Sequence, residues 1–197
     1  MKPLLTVILG LLSAGLLTAA TAPARKFVPH PATDSFYIAN VTSVQDVARI
    51  SESLKEVQSF NKIEALSPTS GYAEISFDAH ANSYAEVAQA IMNARSSTGR
   101  PFAVSLKIRI KDYAVPGNAP KFDAVFAASK ATVSVETVDA KRGDFIIHFL
   151  PFARDPAKPS PQGWNWGNFY HPIQDAPPKG LGLTIIRLHE GVTPPAS

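Results

Sequence analysis

The chain has 197 residues, 45% of them hydrophobic and 18% charged, with a formal net charge of +3; this is a globular composition, neither low-complexity nor disordered. It carries 17 prolines and no cysteine, which excludes disulfides, thiolate metal sites, iron-sulfur clusters and a cysteine nucleophile. So small a positive balance does not point to nucleic acid or to a membrane surface as partner.

Residues 1–24 read as a secretory signal. Lys2 supplies the positive start, Leu4 to Leu17 form an uncharged apolar run, and small residues follow, so cleavage after Ala20 and after Ala24 fit equally well. The competing reading is an uncleaved anchor, because the run approaches the shortest membrane-spanning lengths. The expected location is therefore the periplasm or outside the cell, with no membrane attachment once the signal is removed. Residues 25–34 are expected to be a linker, 35–112 a first domain, 113–191 a second, β-rich half and 192–197 a tail.

In the first domain, Phe36 to Val41 is a short β-branched and aromatic strand. Val44, Val47, Ile50, Leu54 and Val57 then make the apolar stripe of a helix. Ile63 to Leu66 and Tyr72 to Phe77 flank a polar turn cluster at residues 67–71 and read as a hairpin. Ser83 with Glu86 forms a capping box for a second helix that stops near Gly99. Phe102, Val104, Leu106, Ile108 and Ile110 alternate with polar or small residues in a half-buried strand. The order βαββαβ predicts an α+β, ferredoxin-like sandwich with both helices on one face of an antiparallel sheet.

The run Asn40-Val41-Thr42-Ser43-Val44-Gln45-Asp46-Val47-Ala48-Arg49-Ile50, with Leu54 beyond it, resembles the start of the heavy-metal-associated domain family. That family has Gly-Met-Thr-Cys-x-x-Cys-Val-x-x-Ile here, with a Leu four residues further on. Thr42, Val47, Ile50 and Leu54 keep the pattern, whereas Ser43 and Asp46 stand where the metal-binding cysteines would be. The resemblance continues through Ile63–Asp78 and Tyr84–Ala94, and it implies the fold without the metal chemistry. A hydroxyl is a poor ligand for a soft ion, and one carboxylate with one hydroxyl falls short of a hard-cation site. Ser43 is better read as an N-cap, with Asp46 at the third helical position. Thr42 with Gln45 is an alternative capping box one residue earlier. No metal and no cofactor is expected at these degenerate positions.

The second half is expected to hold a short helix over Lys121–Ser129, a hairpin of Thr132–Val138 and Phe145–Leu150, and a final strand over Leu181–His189. This order loosely parallels the first half and suggests a degenerate duplication that shares or repeats the strand at Phe102–Lys111. Its strands must bury their apolar sides, and the open sheet face of the first half is one candidate. Lys107, Arg109 and Lys111 with Tyr37 or Tyr72 would suit RNA on that face, but no RNP-like motif accompanies them and nucleic acid is not expected.

The Pro- and Trp-rich loop at 151–180 contains both tryptophans. Trp164, Trp166, Phe169 and Tyr170 are candidate contacts for a protein or glycan partner in the cell envelope. Alternatively, Trp164 and Trp166 fold back and plug the core in place of a second helix, for which this half shows no sequence pattern. His148, His171 and His189 could form a copper or zinc site only if folding brought them together. No nucleophile elbow, phosphate loop or His-Glu-x-x-His motif is present. The sequence therefore points to an exported, non-catalytic binding protein, with metal handling through non-thiol ligands as the alternative. It leaves the oligomeric state open.

Overall fold

The computed structural model describes residues 31–189; the segment 1–24 expected to be a signal and the tail at 192–197 lie outside the described residues. The elements are β1 (Pro31–Ala39), α1 (Val44–Leu54), β2 (Phe60–Glu64), β3 (Tyr72–Asp78), α2 (Tyr84–Ala94) and β4 (Ala103–Ile110), followed by α3 (Ala119–Ala128), β5 (Val133–Asp139), β6 (Asp144–Phe149), α4 (Gly167–Gln174) and β7 (Ile185–Leu188). No helix of the described residues is long and apolar enough to cross a membrane.

Local chemistry accounts for most of these elements. Both α1 and α2 open on complete capping boxes, at Ser43 with Asp46 and at Ser83 with Glu86. In β4 the residues at 104, 106, 108 and 110 are buried while 105, 107 and 109 are half-buried, so the alternation in sequence becomes alternation between faces. β1 begins at Pro31, inside the stretch expected to be a linker, because residues 31–37 pair with β3 along their whole length.

The first six elements form an antiparallel sheet in the order β2-β3-β1-β4, which is the ferredoxin-like arrangement. Taking β4 again as a first strand, β4-α3-β5-β6-α4-β7 repeats the βαββαβ order, and its strands lie in the matching order β5-β6-β4-β7. Two ferredoxin-like topologies thus share one strand. The second half does not cover the open face of the first, the site considered for it in the sequence. It lengthens the sheet sideways, with β6 on the free edge of β4, and buries its apolar side on the face where Phe36, Ile75 and Leu106 already point. The opposite face carries Tyr37, Tyr72, Lys107, Arg109 and His148.

The second half does contain its second helix: α4, short and containing Pro172. Trp164 precedes it and lies at the centre of the molecule, 1% exposed. Its ring meets Tyr84 of α2 at 5.9 Å, Phe149 of β6 at 5.7 Å and Phe169 of α4 at 5.1 Å, so a single core joins both units. The chain reaches this position through a strap at 151–163 that crosses the outer side of α2. Gly163 is required where the strap turns inward: its φ is +78°, and a Cβ there would stand 2.9 Å from that of Ala85.

Candidate functional site

Around Ser43 and Asp46, at the start of α1, the structure places a closed hydrogen-bond knot. Ser43 has extended backbone, and its Oγ accepts from the Asp46 N–H at 3.2 Å. Asp46 Oδ2 accepts from the N–H groups of Ser43 and Thr42 at 3.0 and 2.9 Å and from Thr42 Oγ1 at 3.0 Å. Asp46 Oδ1 accepts from the Ser97 N–H at 2.6 Å, tying the α2–β4 loop to the start of α1. The Ser97 N–H, followed by that of Thr42, holds the Asp46 carboxyl well below the usual carboxylate range. This buried carboxylate is fully engaged by protein donors, so a metal could reach it only by displacing them.

A second cluster arises where the two units compete for one edge of β4. β1 pairs with residues 103–105 of that edge and β7 with residues 107–110. Carrying the β1 register onward would set Asp34 opposite Ile108, but Arg187 of β7 holds that place. The sheet therefore forks, and the side chains of Asp34 and Arg187 meet across the split on the helix-covered face. Arg187 Nη1 lies 2.5 Å from Asp34 Oδ2 and donates to Tyr84 Oη at 2.7 Å. The Tyr84 hydroxyl in turn donates to Asp34 Oδ2. His189 Nε2 stands 3.8 Å from Asp34 Oδ1. Burial pushes the Asp34 carboxyl up despite the opposing pull of Arg187. Burial, and then the neighbouring Asp34 charge, push the Tyr84 hydroxyl far above its ordinary range, so Tyr84 keeps its proton.

The aromatic loop divides between core and surface. Trp164 and Phe169 are buried and cannot serve as contact residues for a partner; they fill the space under α4, as in the plug alternative. Trp166 and Tyr170 remain partly exposed, and the Arg187 guanidinium lies 5.1 Å from the Trp166 ring centre. The three candidate histidines are dispersed. His148, on the helix-free face, meets Glu136 at 2.7 Å, while His171 on α4 meets Asp175 at 3.3 Å. His189 lies at the fork, on the other side of the sheet from His148. Among the described residues no group of three or more His, Asp or Glu side chains is placed to hold a metal ion, so folding does not assemble the composite metal centre.

No protein-family model and no curated protein matches the chain. Among solved structures it is similar to the water-soluble region of the P-type ATPase CopA from Bacillus subtilis, at 11% identity over 62% of this chain and 78% of that one, with a TM-score of 0.36. It is also similar to the N-terminal soluble domains of the same ATPase, at 11% identity over 66% and 86% of the two chains, again with a TM-score of 0.36. The ferredoxin-like assignment rests on the strand order of this chain itself.

The fork cluster was missed in the sequence because Asp34 fell in a presumed linker. A signal was present: with Phe36 and Ile38 pointing into the core, period two places Asp34 on the same side. Chemically, the cluster is a rigid mount. Asp34 and Tyr84 fix one nitrogen of Arg187 from below, leaving the rest of the guanidinium, on a side chain that is 34% exposed, to face Trp166 and solvent. A planar cation held against an indole suits recognition of a carboxylate or a flat polar group.

Proposed function

We propose that this is an exported, non-catalytic binding protein of the cell envelope, built on a heavy-metal-associated-type sandwich without its metal thiols, that engages a protein or glycan partner at the Trp166–Arg187–His189 patch. The observation that carries this reading is the Asp34–Tyr84–Arg187 cluster. A buried ion pair can generally be replaced by well-packed apolar residues with little loss of stability, so folding alone does not call for it. The saturated Asp46 knot supports loss of the metal role, and the bound proton on Tyr84 supports a holding role rather than proton transfer.

The test replaces the pair by apolar residues. Asp34→Leu/Arg187→Met is expected to melt close to the wild type and to lose the partners that wild type retains from envelope extract, whereas retention of the same partners by a folded double variant overturns the reading. Export is tested separately by the N-terminal mass of the mature chain, which is expected to begin at Thr21 or Arg25.

A further inference from the structure

On the side of α2 turned away from the sheet, Glu86, Gln89 and Asn93 of the helix fall at helical spacing, and with Asn82, just ahead of its N-cap, they make one polar stripe. Every other position of this helix faces the core or its neighbours, so a row of three carboxamides and a carboxylate stands out. The stripe floors a cleft of 190 Å³, with Phe152 and Arg154 of the strap on one side and the end of α1, Glu56 and Val57, on the other. The cleft shares no residue with the fork.

The polar groups are pre-arranged by one another. Glu86 Oε2 accepts from Asn82 Nδ2 at 3.1 Å, and Glu86 Oε1 accepts from Ser160 Oγ at 2.7 Å and faces Arg154 Nε at 3.4 Å. Gln89 Oε1 accepts the Phe152 N–H at 3.0 Å, and Gln89 Nε2 donates to Asn93 Oδ1 at 2.7 Å. These bonds, with the one from the Ser59 N–H to Asn82 Oδ1 at 3.1 Å, fix the floor, and the exposed Asn93 and Glu56 complete the lining.

From this arrangement we infer that the cleft binds one ring of a neutral saccharide. A carboxamide has two lone pairs and two N–H hydrogens, so beyond these bonds Gln89 and Asn93 keep an acceptor and a donor for a pair of neighbouring hydroxyls, and Phe152 supplies the apolar wall that a ring's C–H face requires. Size limits the occupant: an apolar cavity of about 150 Å³ takes one benzene ring, so 190 Å³ admits a single substituted six-membered ring. Charge limits it further. Glu56 and Glu86 against Arg154 leave one net negative charge, which disfavours uronic acids.

The test titrates the ¹⁵N-labelled mature chain with glucose, galactose, mannose and N-acetylglucosamine, with glucuronate as the acidic comparison. At least one neutral sugar should give saturable amide shifts confined to residues 56–57, 86–93 and 152–154, with glucuronate about tenfold weaker. Asn93 is exposed, so Asn93→Leu should keep the wild-type melting temperature and weaken the neutral sugar about tenfold. Glu56→Gln should leave neutral-sugar affinity in place and admit glucuronate. The inference fails if no neutral sugar shifts these amides, if glucuronate binds as tightly as the best of them, or if a folded Asn93→Leu binds unchanged; none of these outcomes bears on the Arg187 patch.

Discussion

Asp46 and Asp34 are both buried aspartates, yet their surroundings push them in opposite directions. Asp46 gains the N–H groups of Ser97 and Thr42 and has a depressed pKa. Its contribution is therefore present above the unfolded Asp value of about 3.9 and is lost as pH falls through that value toward the folded one. Asp34 is raised by burial, so its folded form binds more protons between about 3.9 and its raised pKa, and stability is lost as pH rises through that window. Denaturant midpoints at pH 2, 4 and 7 should show this directly: Asp46→Asn loses ground to wild type between pH 2 and 4, and Asp34→Asn gains it between pH 4 and 7. Equal pH dependence in both variants would contradict the two environments. At the same helix start, Ser43→Ala removes the N-cap acceptor and should cost about 1 kcal/mol, a fall in melting temperature of roughly 2–4 °C for a chain of this size. A cap without effect would mean that Asp46 alone holds the loop.

At the scale of elements, legibility followed the strength of local signals. The capping boxes at Ser43 and Ser83 and the strict alternation of β4 were readable because each is decided within a few residues. α4 was not, since it spans eight residues, contains Pro172 and has no side-chain cap at Trp166; tertiary burial of Phe169 and Ile173 supplies what propensity does not. The fork at Asp34 was equally hidden, because one register cannot reveal that two strands claim the same edge. Trp164 shows how such packing can be measured. Its Nε1 has no hydrogen-bond partner among the described residues, so Trp164→Phe sheds an unpaired polar group along with some contact area. Trp164→Ala should cost about 3–5 kcal/mol, and Trp164→Phe less than half of that, in equilibrium unfolding. Gly163→Ala should cost about 1–3 kcal/mol through its positive φ and the collision with Ala85.

For the whole molecule, sharing β4 decides what counts as a folding unit. The sequence divides near residue 112, and two independent domains would be a natural expectation. The structure joins them three times over. β4 gives one edge to β1 and β7 and the other to β6, Trp164 and Phe149 pack against Tyr84 and Phe36 of the first unit, and Arg187 compensates the buried charge of Asp34. A chain ending after Lys111 would keep every residue of its own ferredoxin-like order, yet it would expose an unpaired strand edge and the apolar ground under Trp164, and strand Asp34 without its cation. Such a fragment is expected to lose cooperative unfolding and near-ultraviolet dichroism while retaining some secondary structure. The full chain should unfold in one transition, with near- and far-ultraviolet signals superimposing. If instead the fragment melted as cooperatively as the full chain, or the full chain showed two separable transitions, the shared strand would be only a seam between neighbours, and the core around Trp164 would not make the two halves one folding unit.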